Sequence, residues 1–188
     1  MITLVFFLEE LSAKALLEIL LPRFISEDKF VLRFVPFEGK QDLEKQLVRR
    51  IRGWRTPNTH FVVLRDQDSA ECKDVKQRLL ELCAEAGRPD TLVRVACREL
   101  ESWYLGDLKA VEKAFCINNL ASKQKQRKYR NPDALGNPVQ ELERITNKKY
   151  QKVSGSRAIG PLLDIHNNRS PSFQVFVSGM QQLTGTER

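Results

Sequence analysis

Phe61-Val62-Val63-Leu64 is a continuous apolar run, without the polar alternation of a strand that is buried on one face only. It predicts a short strand covered on both faces, which requires helices on either side of a sheet. The run stops at Asp66-Gln67-Asp68. Ser69, a good N-cap residue, and a helical stretch to about Ala86 follow. Two acids at i and i+2 just past such a strand can converge on one point. In an open parallel sheet that point lies at the carboxyl edge, where ligands and ions collect. The alternative is a turn in which Asp68 helps to cap the helix and Asp66 shapes the loop.

The N-terminus repeats the pattern. Ile2 to Leu8 is apolar throughout and ends at Glu9-Glu10, with Ser12 as a cap for a helix carrying Ala15, Leu16, Ile19 and Leu20. Phe30 to Phe37 reads as another strand, and Pro36 near its end suggests an edge or exit position. Glu38-Gly39-Lys40 makes a turn into a helix from Gln41 to Trp54. Leu92 to Cys97 is the fourth strand, and it delivers Glu99 and Glu101 just beyond its end. Strands alternating with helices at this interval imply right-handed crossovers and a parallel or mixed sheet. Carboxylate oxygens from several strand ends are the ligands a hard cation such as magnesium selects.

The second part of the chain differs in composition. Ser122 to Arg130 carries Lys123, Lys125, Arg127, Lys128 and Arg130 and no acid, with Tyr129 among them. Such a run is a solvated loop or a phosphate-contacting segment in which Tyr129 stacks on a base. Asp107 caps a helix to about Phe115. Further helices are expected over Val139–Thr146, Ser156–Ile165 and Pro171–Leu183, and Trp103 and Tyr104 belong to the core. The expected division is an α/β core over 1–116 and a basic loop and helical extension over 117–188, packed on that core.

The 188 residues carry a formal charge of +7. A basic excess beside acids on one sheet edge suits a protein acting on a polyanion. No apolar run approaches the roughly 18 residues of a membrane span, and none resembles a signal peptide. Cys72, Cys83, Cys97 and Cys116 show no close ligand pairs, which disfavours zinc and fits reduced thiols in a cytoplasmic protein.

An acid after the first strand with Asp-x-Asp after a later one resembles the Toprim domain, shared by topoisomerases, bacterial primases and nucleases of the overcoming-lysogenization-defect type. Phe7-Leu8-Glu9 resembles its first motif, although Glu10 stands where Gly is usual and Ala13 where a further acid often occurs. Asp66-Gln67-Asp68 resembles the second. Nearly the whole chain resembles a Toprim-like family of unknown function, through Glu9–Ser12, Gly39–Glu44, Arg65–Asp68, Glu99–Asp107, Asn131–Asp133 and Asn168–Phe176.

This resemblance implies a Rossmann-like, mainly parallel sheet flanked by helices, and a Mg2+- or Mn2+-dependent nuclease acting on DNA or RNA. Glu9, Asp66 and Asp68 would be catalytic and metal-binding, with Glu99 and Glu101 as further metal ligands. Lys40, Arg65 and the cations from Lys123 to Arg130 would contact nucleic acid. It also implies a partner ATPase of the ABC or structural-maintenance type in phage defence, and a homodimer is a further expectation. Two other classes compete: a non-catalytic interaction subunit of an ATPase, and a phospho-acceptor domain, which needs a Lys after a last parallel strand.

Overall fold

A computed structural model describes residues 1–186. Its elements alternate as β1 (Ile2–Leu8), α1 (Leu11–Leu20), β2 (Phe30–Pro36), α2 (Lys40–Arg52), β3 (Thr59–Asp66), α3 (Cys72–Glu85) and β4 (Leu92–Ala96). Among the described residues the rest of the chain is helical: α4 (Glu101–Leu105), α5 (Leu108–Phe115), α6 (Arg127–Arg130), α7 (Pro138–Ile145), α8 (Lys152–Ile159) and α9 (Pro171–Thr184). The four strands form one sheet in the order β2-β1-β3-β4, parallel at every pairing. In register, β1 sets Leu8 opposite Leu64 of β3 and Pro36 of β2, so the strands end level with one another.

Strand geometry sends alternate side chains to opposite faces, and the core divides accordingly. Leu4, Phe6, Leu8, Val62 and Leu64 face α1 and the later helices. Val5, Phe7, Phe61, Val63, Val93 and Val95 face α2 and α3. The uninterrupted apolar runs of β1 and β3 are thus the product of two separate cores. β2 is a sheet edge, as Pro36 suggested, and its residues are mostly half-buried.

Residues beyond 117 belong to the first of these cores. Tyr129, Leu142, Tyr150, Ile159, Phe173, Phe176 and Met180 are buried in the same cluster as Leu4 and Phe6. Trp103 lies between the rings of Phe173 and Phe176, at centroid distances of 5.2 and 5.0 Å. Truncating a buried Trp of this kind costs about 3–5 kcal/mol.

Several expected helix starts move. Ser69 does not cap α3, which begins at Cys72 after Glu71, because the residues after Asp68 first complete a turn. Ser12 lies inside α1 and donates instead to Glu10 Oε1. Asp107 does cap α5, accepting from the Ala110 N–H, and its other oxygen accepts from Asp164 N–H. α8 begins at Lys152, earlier than expected, and ends in a 3-10 turn at Gly160–Leu162, where Pro161 cannot continue the hydrogen bonding.

Candidate active site at the carboxyl edge of the sheet

β1 and β3 release their chains side by side. Glu9 follows β1, and its Oε2 accepts from the Asp66 N–H at 3.0 Å. Asp66 is the last residue of β3. The loop beyond is fixed to the end of β4: Gln67 N–H donates to Ala96 O and Asp68 N–H to Arg98 O, both at 2.9 Å. Asp68 has φ +56°, the left-handed region, which Asp tolerates better than most residues. From the far side of β4, the first turn of α4 brings in Glu101, which is wholly buried.

These carboxyls are costly to ionise. Burial pushes Asp66 well above the usual carboxylate range, and the charges of Glu101, Glu9 and Glu10 push it further. Burial also raises Glu9 and Glu101, partly offset by the Asp66 N–H in the first case and by the Tyr150 hydroxyl in the second. Tyr150 donates to Glu101 Oε1 at 2.6 Å, and Oε2 of the same carboxyl has no hydrogen-bond partner among the described residues. A buried carboxylate oxygen left without a donor is an acceptor waiting for a cation or a proton.

Two lysines stand at the rim. Lys40 opens α2, and its Nζ lies 2.7 Å from Asp68 Oδ2. Gly39 makes this approach possible: its φ of +106° suits glycine, and its N–H donates to Glu9 O at 3.0 Å. Lys152, the first residue of α8, donates to both oxygens of Glu10 at 3.0 and 3.1 Å. Its charge also reaches Asp66 and Glu101. The sequence shows Lys152 only as one of a cluster of cations. Nothing in that spacing says that α8 would set it against the end of β1, more than a hundred residues earlier.

Other candidate residues occupy different places. Glu99 lines a cleft with Lys40 and Asp68, and its Oε2 accepts from Val139 N–H at the start of α7. Arg65, expected to contact nucleic acid, is only 7% exposed and is bound by Glu44, with Glu9 at 3.9 Å. It holds the acids rather than presenting a surface. Tyr129 cannot stack on a base: it is fully buried and donates to Glu141, which Lys128 and Arg144 also bind. The apolar ring outweighs the surrounding charges and folds inward, taking α6 with it. Lys123, Lys125, Arg127 and Arg130 remain exposed.

A cleft of about 300 Å³ lies against this edge, lined by Lys40, Asp68, Ser69, Arg98, Glu99 and Gly136. Gly136 also lines a neighbouring cleft of about 450 Å³ with Arg127 and Lys128. Gly136 thus lies between the cleft that holds Asp68 and Glu99 and the one that holds Arg127 and Lys128. Among the described residues, no three His, Cys, Asp or Glu side chains are already gathered so as to hold a metal ion.

A parallel sheet with both faces covered, and acids beyond the carboxyl ends of its strands, defines an open α/β protein with helices on both faces. The chain belongs to the DUF4276 family, a domain of unknown function, which matches residues 8–181. In structure it is similar to the C-terminal region of the Burkholderia pseudomallei OLD protein, with a TM-score of 0.61 and 15% identity. That likeness covers 96% of this chain and 98% of the other, and at such identity it is a likeness of fold. No curated protein matches the chain in sequence. No helix among the described residues is long and apolar enough to cross a membrane.

Proposed function

We propose that this protein is a Mg2+- or Mn2+-dependent phosphodiester hydrolase acting on DNA or RNA. The observation that carries the reading is the carboxyl edge itself, where the half-buried Glu9 and Asp66 stand near the buried Glu101, one of whose oxygens has no hydrogen-bond partner among the described residues. An all-oxygen donor set suits a hard divalent cation, and Glu101 Oε2, without a partner among the described residues, is a ready ligand atom. Asp66, Asp68 and Glu101 would hold the metal, with Glu9 at its side. Bound there, a divalent ion supplies Lewis acidity to the phosphate and lowers the pKa of a water molecule.

The chain's own groups do the rest. Glu9, its pKa raised by burial, is suited to take a proton from the attacking water. Lys40, on the cleft wall with Arg98, is placed to meet the charge of a phosphate once Asp68 turns to other partners. Arg65 and Glu44 keep Glu9 in position. The exposed cations Lys125, Arg127 and Arg130 would hold the backbone electrostatically beside the cleft that Arg127 lines. The wider reading, a cytoplasmic effector of an ATPase-coupled defence system, rests on family resemblance.

The test is cleavage of single- and double-stranded DNA and RNA with Mn2+, alongside thermal melting with and without the ion. Asp66→Asn should lose both cleavage and the Mn2+-induced rise in Tm, and Glu9→Gln should lose cleavage. Full retention of that rise in Asp66→Asn would show that Asp66 is not a ligand. Lys125, Arg127 and Arg130 changed together to Ala should flatten the salt dependence of binding, by about one in log–log slope for each phosphate no longer neutralised.

One observation favours a second reading. Asp68 and Glu10 are already neutralised by Lys40 and Lys152, as in a site that no longer takes a metal. A non-catalytic subunit regulating an ATPase would show no Mn2+ shift and no cleavage on any substrate.

A further inference from the structure

Cys72 and Cys97 meet beside the site, although 25 residues separate them in the chain. Cys72 is the first residue of α3, just past the Asp66–Asp68 loop, and Cys97 is the residue after β4. Their Sγ atoms are 3.3 Å apart, and both side chains are half-buried and free. Sulfur atoms at that distance are in contact. A disulfide at about 2.05 Å would need them to approach by little more than 1 Å. The pair also borders a cavity of about 250 Å³, with Lys76, Asp133 and Ser172 among its lining residues, which gives a small solute a path to the sulfurs.

We infer that Cys72 and Cys97 form a peroxide-sensitive dithiol that closes to an intramolecular disulfide. Cys72, the first residue of α3, lines the cavity together with Cys97, so peroxide can reach its sulfur. Its sulfur attacks one peroxide oxygen, the O–O bond breaks, and hydroxide leaves to become water. The resulting sulfenic acid, Cys72 S–OH, is then attacked by the Cys97 sulfur. The S–S bond forms, the S–O bond breaks, and the hydroxyl leaves as a second water with the proton released by Cys97. Two thiols are oxidised by two electrons, and one peroxide is reduced to two waters.

The bond would act on the site because of what flanks it. Ala96 O and Arg98 O, the residues on either side of Cys97, accept the N–H groups of Gln67 and Asp68. Joining Cys97 to the start of α3 ties the segment from Asp68 to Cys72 to the end of β4 at both ends, by hydrogen bonds from Gln67 and Asp68 at one and by the S–S bond at the other. It fixes Asp68 where Lys40 now holds it and hinders its turning toward a cation. This consequence rests on the hydrolase reading above, whereas the dithiol chemistry does not.

The experiment treats the full chain with hydrogen peroxide, quenches with an alkylating agent and digests with trypsin without reduction. Expected are two fewer alkyl adducts than in reduced protein and a linked pair of peptides, 66–73 with 95–98, absent from Cys72→Ser and Cys97→Ser and reversed by dithiothreitol. The buried Cys83 and the exposed Cys116 serve as internal references. Sulfinic or sulfonic acid on Cys72 with Cys97 still alkylated, or links through Cys116, would overturn the dithiol. Oxidised protein should also show less than half the Mn2+-induced rise in Tm of reduced protein, and Cys97→Ser should keep the full rise after peroxide. A linked pair with an undiminished rise would overturn the regulatory part. No rise even in reduced protein would overturn that part together with the metal reading, while the linked peptides would still stand.

Discussion

The carboxyl edge and the anchor of α9 are built from the same kinds of residue and reach opposite outcomes. At the anchor, Asp133 accepts from Ser170 Oγ and from Ser172 N–H, at 2.5 and 2.7 Å. Ser172 Oγ in turn accepts from Trp103 Nε1 and Cys97 N–H. Asn168 donates to Trp103 O and accepts from Ser170 N–H. Burial raises Asp133 too, but hydrogen bonds from the two serines oppose it. At the sheet edge, Glu101 keeps an oxygen without a partner among the described residues, and Asp66 is crowded by other acids. Satisfied buried polar groups fix a structure, whereas unsatisfied ones store a demand that a ligand can meet. Both regions carry motif residues, and only their hydrogen bonding tells them apart.

The contrast is sharpest for Asp66→Asn. This change should lower metal-dependent cleavage by at least about a thousandfold, near 4 kcal/mol of transition-state stabilisation. It should leave the metal-free Tm equal or higher, because it removes a buried like-charge repulsion. A clear fall in metal-free Tm would place Asp66 with the structural residues. Trp103→Ala, at the anchor, should do the reverse and cost about 3–5 kcal/mol in urea unfolding. A fall in stability under about 1 kcal/mol would mean that the anchor does not hold α9.

A smaller effect is expected at Gly106. A Cβ there would collide with Asn168 Oδ1 and sit 2.8 Å from Ser170 N, so something must shift. Gly106→Ala should therefore destabilise by about 1–3 kcal/mol, with metal affinity unchanged in the protein that folds. Altered affinity at full stability would show that the two regions are coupled.

The smallest effect is a pH dependence. Asp66, Glu9 and Glu101 have folded pKa values above their unfolded ones, so the folded state holds more protons than the unfolded. Stability then falls as pH rises from the unfolded values, near 4, through the raised folded ones. Asp42, Asp90 and Asp164 are shifted downward and lose their contribution only in more acidic solution. The metal-free Tm should drop by a few degrees between about pH 5 and pH 8, and Asp66→Asn should flatten this slope. A Tm that rises over that interval would mean the edge is not under electrostatic strain.

Much of the fold was legible because the strands announce themselves. A strand covered on both faces needs an unbroken apolar run, and Leu4 to Leu8 and Phe61 to Leu64 supply it. Parallel order followed from the intervening helices, and Asp107 and Pro36 behave as their chemistry dictates. Helix starts were less legible. Ser12 and Ser69 are good caps by type, but the loop geometry decides whether a hydroxyl reaches a free N–H.

By itself the sequence determined that acids would gather at one end of a covered parallel sheet. Strand polarity and the alternation of side chains between two faces are local consequences of residue order. Tertiary structure alone decided that Glu101 comes near Asp66, that Glu99 accepts a hydrogen bond from α7, and that Tyr129 turns inward. It also brought Lys152 to Glu10 and Cys72 to Cys97. Such meetings depend on how distant helices pack. That packing is set by the summed burial of many apolar side chains, and no short stretch of sequence encodes it.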